Sequence, residues 1–473
     1  MIFFYNFTKK TINFKKNENY LEKKLSSVQD LSKLTRWFVL LLVSISISAN
    51  YYVYDAMSSI KSIMQSELGF SNTAYGWLVS LYSFPNTFLA MSILGGIILD
   101  RWGIRKTGLL FVSLCVLGAF FSSYGASPYF SNGGFGYSFV SSIFPSVSPE
   151  LKMLMLGRLL FGLGAETSIV VSNKIMVKWF KGKELALAFG VNLAVARLGT
   201  AAALILSPVF VNYIHWTTAL WTATILMTIG LVCFVIYIYL DRKHTPKEDK
   251  SAKLAEDEIF RLRDIVDLVK NKSFIYVCIL CVTFYSAVFP FQSYCPDLLH
   301  NKFNLSIEWS GILSSLIIWG TIVFTPLFGY FVDKKGKRAS LMFVGSALLI
   351  LSHLILSLTY LTPYIPMFIL GIAFSLVPAA MWPSVALIVE EKKLGTAYGT
   401  MASIQNLGLW AFPIIAGWVL DKTNVGVPPG NLDYTYTILV FAGLGIIGFL
   451  FAFLLKHNET KGKSHGLELP SKS

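Results

Sequence analysis

Glu166 and Arg197 are the residues whose chemistry most needs explaining, because both lie inside long apolar runs of this 473-residue chain. Glu166 ends Gly157-Arg158-Leu-Leu-Phe-Gly162-Leu-Gly164-Ala-Glu166, and Arg197 stands in Asn192-Leu-Ala-Val-Ala-Arg197-Leu-Gly199. A lone ionised side chain at a bilayer centre costs a few kcal/mol on the most lenient scale. Between the two runs lies the short basic turn Lys181-Gly182-Lys183, close to the midpoint of positions 166 and 197. In an antiparallel helix pair both residues then lie at one depth, roughly 23 Å from the turn at 1.5 Å per residue. They are predicted to face one another near the midplane. Two readings fit: a structural salt bridge, or a split site in which the guanidinium fork takes a carboxylate and the carboxylate takes an ammonium. In the second, the empty pair closes on itself and limits the cost of its own burial. Gly157, Gly162 and Gly164 are read as helix-packing residues.

Further polar and aromatic groups extend the candidate site. Asp55 follows Tyr51, Tyr52 and Tyr54 at the end of the first apolar run, where aromatics serve either a membrane belt or a cavity wall. Tyr82, Trp382, Gln405 and Asn406 complete an expected aromatic and amide-lined pocket. Asp297 and Glu308 are expected to be solvated in a loop, and His353 to be packed or at the lipid edge. Cys278-x-x-Cys281 has redox spacing but lies in an apolar run, so it reads as helix packing. No nucleophile elbow, metal cluster or phosphate loop is present, so an enzyme is the least favoured class and neither a cofactor nor a metal is expected.

Apolar helices must position these groups. The chain is 54% apolar and 14% charged, against about 25% charged in soluble domains. Spans are read near 36–56, 74–99, 106–124, 152–175, 184–211 and 215–240. Six more follow near 273–298, 308–332, 339–359, 364–389, 395–420 and 433–456. The expected class is an all-α polytopic membrane protein of twelve transmembrane helices. Its expected parts are a tail (1–34), a six-helix bundle (35–240), an amphipathic linker (241–272), a second bundle (273–456) and a second tail (457–473). Within the linker, Ile259, Leu262, Ile265 and Val269 recur at helical spacing among charges. With both termini placed in the cytoplasm, 34 of the 40 Lys and Arg residues fall on that side. The net charge of +14 then describes topology and calls for no nucleic-acid partner; the expected partners are the lipid bilayer and a small-molecule substrate.

The halves repeat. Gly96-x-x-x-Asp100-Arg101-x-Gly103-x-Arg105-Lys106 recurs as Gly329-x-x-x-Asp333-Lys334-x-Gly336-x-Arg338, 233 residues later. Lys183, Leu185, Gly190 and Gly199 align with Lys392, Leu394, Gly399 and Gly408 at a shift of 209, which pairs Arg197 with Asn406. Glycine in the first motif is expected to let helices approach closely, with the aspartate at a helix end and basic residues beside it.

Two such loops in register resemble the signature loops of the major facilitator superfamily. The resemblance implies the major facilitator fold and makes Asp100, Arg101, Arg105, Asp333 and Arg338 gating residues. Ser80-Leu-Tyr82-Ser-Phe-Pro85-Asn86, Trp179-Phe-Lys-Gly-Lys-Glu184-Leu, Ala287-Val-Phe-Pro290-Phe and Leu394-Gly-Thr-Ala-Tyr398-Gly are similar to the branch that holds lysosomal dipeptide uniporters and their prokaryotic relatives. That branch implies dipeptide transport without obligatory ion coupling, with Glu166 and Arg197 at the peptide termini. The tail has no acidic dileucine sorting signal and is rich in Lys, Asn and Ile, which suits a bacterial inner membrane better than a lysosomal one. An accessory subunit is left unassigned. The rival expectations are proton-coupled transport of another small organic anion, with Glu166 or Asp55 carrying the proton, and a nontransporting sensor or assembly subunit.

Overall fold

A computed structural model describes residues 33–244, 262–461 and 465–470. Most of the expected N-terminal tail, the middle of the linker with Ile259, and parts of the C-terminal tail lie outside the described residues. The first half holds α1 (Lys33–Asp55), α2 (Asn72–Ser80), α3 (Met91–Gly125), α4 (Pro149–Phe180), α5 (Leu185–Tyr213) and α6 (Thr217–His244). After the linker helix α7 (Leu262–Lys270) come α8 (Lys272–Phe303), α9 (Ile307–Lys335), α10 (Arg338–Leu358), α11 (Tyr364–Ile388), α12 (Leu394–Thr423) and α13 (Thr435–Lys461). The side of the molecule that carries α7 is called the linker side, and the opposite one the far side.

Local sequence sets several helix starts. Ser71, Ser148 and Ser306 cap α2, α4 and α9 by accepting from backbone N–H groups, and Asn271 does so twice at α8. Each satisfies donors that the first turn leaves free. Among the described residues, eleven helices are long and apolar enough to cross a membrane. The remaining crossing, expected over 74–99, is assembled from pieces: α2, the short helix Phe84–Phe88 and the start of α3. Ala90 between them has a left-handed φ of 49°. Gly103, at φ 82° and ψ 169°, then breaks α3 where the second crossing turns into the third, a conformation open to glycine without strain.

The sequence repeat has a packing counterpart. A Cβ on Gly199 of α5 would lie 2.1 Å from the Ser48 carbonyl of α1, and one on Gly408 of α12 would lie 2.0 Å from Ser286 Oγ of α8. Equivalent glycines thus seat equivalent helix pairs in the two six-helix bundles. Gly157, Gly162 and Gly164 of α4 likewise lie against Ser122, Tyr82 and Phe111. The linker helix differs from its expected register: Leu268 is buried and Ile265 half-buried, whereas Val269 is exposed. Its Asp267 reaches Lys393 at 3.2 Å, beside the start of α12.

The halves meet on the far side. One apolar core lies within the first half, a second fills the second half and continues into the first through Met57, Ile60, Tyr75 and Leu78, and a small third joins Ala201 and Leu204 to Ile318. A Cβ on Gly76 would lie 2.3 Å from the Pro413 carbonyl, one on Gly417 2.1 Å from that of Asn72, and one on Gly311 2.1 Å from that of Leu204. On the linker side the motif glycines behave differently from expectation: a Cβ on Gly96 or Gly329 would meet nothing within 4 Å. These two make no close approach, whereas in the second copy a Cβ on Gly336 would lie 2.1 Å from the Leu469 carbonyl.

Candidate functional site

At mid-depth a cavity of about 290 Å³ lies between the halves, walled by α1, α4 and α5 on one side and α8 and α12 on the other. Its lining includes Tyr51, Tyr54, Asp55, Tyr82, Glu166, Arg197 and Gln405, seven of the nine residues expected to bind substrate. Trp382 stands one side chain back, its indole N–H donating to the Tyr285 hydroxyl at 2.8 Å. Asn406 is buried and donates to the Ala402 carbonyl of its own helix at 3.0 Å, so it too is off the wall. Its position around the helix turns the side chain to α12's own backbone.

Glu166 and Arg197 share this cavity without forming an ion pair among the described residues. The expectation that the empty pair closes on itself is therefore corrected. Each charge has other support. The Tyr82 hydroxyl donates to Glu166 at 3.0 Å. The Arg197 guanidinium lies 5.5 Å from the ring centre of Tyr51, 5.9 Å from that of Phe289 and 5.3 Å from that of Phe374. Aromatic faces attract the cation while leaving its N–H groups available, which an ion pair would not do. Tyr51 belongs to the first half, Phe289 and Phe374 to the second, so the cage around Arg197 is made by both. Asp55, at the far-side end of α1, accepts from Gln292 of α8 at 3.4 Å.

Tyr285 and Phe289 are wall residues that sequence reasoning missed. A period of four on α8 would mark the pair, but apolar residues surround both in the sequence and nothing there sets them apart from packing residues. Arg158 is also buried; its guanidinium donates to the Tyr54 carbonyl at 3.1 Å and lies 5.4 Å from that residue's ring centre, behind the cavity wall. His353 is packed, with Nδ1 against the Leu349 carbonyl and its ring edge-on to Phe291. The five cysteines are free and buried.

Asp297 overturns the expectation of a solvated loop. It is buried and accepts from Lys61 Nζ at 2.6 Å; the same ammonium donates to Asn72 at 2.7 Å and to the Tyr434 hydroxyl at 3.2 Å. Glu308 accepts from Asn212. Nearby, the Asp421 carboxylate receives the N–H and side chain of both Asn72 and Thr73 at 2.6 to 3.0 Å. These bonds join the halves on the far side of the cavity.

The signature loops lie on the linker side. Asp100 pairs with Lys174, and Arg105 with Asp241 at 2.7 Å, where Lys178 also binds at 2.6 Å. All of these contacts stay within the first half. Arg101 and Asp333 are exposed. Arg338 is buried and donates to the Leu469 carbonyl at 3.1 Å, while Glu468 accepts from the N–H and hydroxyl of Ser340, so residues 465–470 clasp the second loop.

Two helical bundles around a charged central cavity are the architecture of a multi-pass membrane transporter. The chain belongs to the Major Facilitator Superfamily, which it matches over residues 38–307 and 295–472. It is 34% identical over 417 residues to the lysosomal dipeptide transporter MFSD1 of Mus musculus, covering 84% of this chain and 83% of that protein. It is 32% identical over 417 residues to the Homo sapiens protein of the same name, with the same coverage. Among solved structures, a point mutant of the nucleoside transporter NupG aligns with TM-score 0.69 at 14% identity, over 89% of this chain and 99% of that one. That likeness speaks to fold alone.

Proposed function

We propose that this chain is a dipeptide uniporter working by alternating access, with Glu166 receiving the peptide ammonium and Arg197 its carboxylate. The supporting observation is that the two charges share one mid-depth cavity without neutralising each other. A zwitterion of two residues spans about 7 Å when extended, and it offers each pole the partner it lacks. The dipeptide transporters named above support the substrate class. Substrate side chains face Tyr54, Tyr285, Phe289 and Leu409, which supply apolar contact without demanding one shape. Binding neutralises both poles at once, and the bundles then rock about the occupied site. The signature loops close the linker side as Asp100, Arg101, Arg105, Asp333 and Arg338 change partners.

The linker side is assigned to the cytoplasm, with both termini there, because the basic connections around 101–106, 174–183 and 334–338 lie on it, in line with the topology that gives the cytoplasm 34 of the 40 Lys and Arg residues. The six-helix halves 35–240 and 273–456 are the moving bodies, tied by the linker 241–272. The tail composition favours a bacterial plasma membrane over a lysosomal one.

The test is uptake of radiolabelled dipeptide by proteoliposomes. Glu166→Gln and Arg197→Ala each abolish uptake while purified protein stays monodisperse; normal uptake by both variants overturns the assignment. Asp55 gives a second reading a footing, since it adds a carboxylate to the same wall. Proton-coupled transport of a small organic anion requires accumulation above equilibrium when the far side is acidified, whereas a uniporter only equilibrates.

A further inference from the structure

The segment 126–148, which joins α3 to α4 on the far side, contains no Asp, Glu, Lys or Arg, and the uncharged stretch extends from 107 to 149. It is an ordered fold of its own, with short helices Pro128–Ser131 and Tyr137–Ser142. Phe130 is its buried anchor, the Tyr124 hydroxyl donates to the Phe135 carbonyl at 3.0 Å, and Lys152 at the head of α4 donates to the Val140 carbonyl at 2.7 Å and to that of Ile143. Despite this internal order it presents large apolar side chains outward: Phe135 is 88% exposed, Phe144 75%, Phe139 70% and Tyr129 66%.

We propose that this segment is an interfacial anchor, inserted into the far-side leaflet at the boundary between headgroups and acyl chains. The occupant follows from continuity. Phe120, 40% exposed, lies on the outward surface of α3 within Ile93–Gly125, a stretch long and apolar enough to cross a membrane, and Trp221 of α6 lies 6.0 Å from it. Its ring stacks on Tyr124 at 5.8 Å, Tyr124 meets Phe130 at 5.3 Å, and Phe130 meets Tyr137 at 5.4 Å. An aromatic ladder thus runs from the lipid-facing helix surface into the loop without passing a charge. Phe, Tyr, Ser and Gly, with Lys152 occupied by carbonyls, suit a layer that is apolar on one side and wet on the other. Insertion to roughly 5–10 Å is the depth such apolar faces reach. The far-side segment that carries Asp421, Lys422 and Asp433 has no comparable uncharged run.

The anchor is tested in the full chain reconstituted in nanodiscs. Phe135→Cys and Phe139→Cys are labelled separately with an environment-sensitive NBD dye, the buried native cysteines serving as the unlabelled background. Expected is a blue-shifted emission, mostly lost with nitroxide-bearing acyl chains and little affected by aqueous iodide. Lys335→Cys on the opposite face should behave in reverse. Iodide quenching at both loop sites overturns the proposal by placing them in water, and shielding from both quenchers overturns it by showing a protein cover. Phe139→Trp with brominated lipid, read as the added emission and its quenching relative to the parent chain with its eleven tryptophans, repeats the measurement with an aromatic side chain retained, so a label-induced change in the loop is detected separately.

Discussion

Tyr82 and the aromatic cage show why the cavity keeps two opposite charges apart. A hydroxyl donated to Glu166 and three rings facing Arg197 lower the cost of each charge without consuming the bonds a substrate would make. Tyr82→Phe removes the donor that orients the carboxylate. Hydrogen bonds to charged groups contribute about 1.5–3 kcal/mol, so dipeptide affinity is expected to fall roughly tenfold or more while insertion is unchanged. Competition binding to purified protein measures it, and an unchanged affinity would discard the orienting role. The two poles also predict a chemical cross-pairing. N-acetyl dipeptides should lose binding through Glu166 and so be indifferent to Glu166→Gln, whereas amidated dipeptides should be indifferent to Arg197→Ala. Equal sensitivity of both ligands to both variants would contradict the assigned polarity. At this scale the sequence is informative where charge interrupts an apolar run, as at Glu166 and Arg197. It is silent where an aromatic wall residue such as Phe289 sits among other apolar residues, because nothing marks one face of α8 as the cavity face.

Glycine positions divide the helices into surfaces that are now in contact and surfaces that are apart. Gly76 of α2 lies against the Pro413 carbonyl of α12, and a Cβ there would stand 2.3 Å from that oxygen, backbone that cannot swing aside. Gly96, on the linker side of the same crossing, faces open space. Gly76→Val is therefore expected to disfavour the far-side-closed arrangement, and Gly96→Val to leave it intact while hindering closure on the linker side. Accessibility of a cysteine placed at Tyr51 reports both: reagent from the far side should label it faster in the Gly76 variant and no faster in the Gly96 variant. Identical labelling of the two would remove this division of roles. Helix extents are largely legible from apolar runs, since α4, α5 and α8 through α13 begin and end near the expected limits. The second crossing is not, because Pro85 and the left-handed Ala90 divide a run whose hydropathy is continuous. The spacing of the motif glycines is legible too, but it does not say what each one packs against: Gly96 and Gly329 face open space, while Gly336 lies against Leu469.

For the molecule as a whole, the far-side closure is a buried electrostatic joint. Lys61 and Asp297 are 236 positions apart in the chain, and each is almost completely shielded. The ammonium also lies 5.6 Å, 5.7 Å and 5.9 Å from the ring centres of Tyr75, Tyr294 and Tyr434. No period in the sequence brings these residues together, which is why Asp297 reads as solvated; only the docking of the two bundles buries them. Removing one partner of a buried pair costs about 3–5 kcal/mol, since the other charge remains in a dry site. Under the proposed alternating access the penalty is specific to one state, since opening the far side would admit water to both residues and relieve it. Lys61→Met and Asp297→Leu should each shift the population toward the far-side-open state, and because every 1.4 kcal/mol is a factor of about ten, labelling of the Tyr51→Cys reporter from the far side should rise at least tenfold. The double variant Lys61→Met with Asp297→Leu replaces the pair by apolar groups and should return labelling most of the way to the parent value. If the single variants label no faster while remaining folded, the joint is structural packing and does not set the conformational balance. If the double variant labels as fast as the singles, the penalty comes from lost shape and not from an orphaned charge.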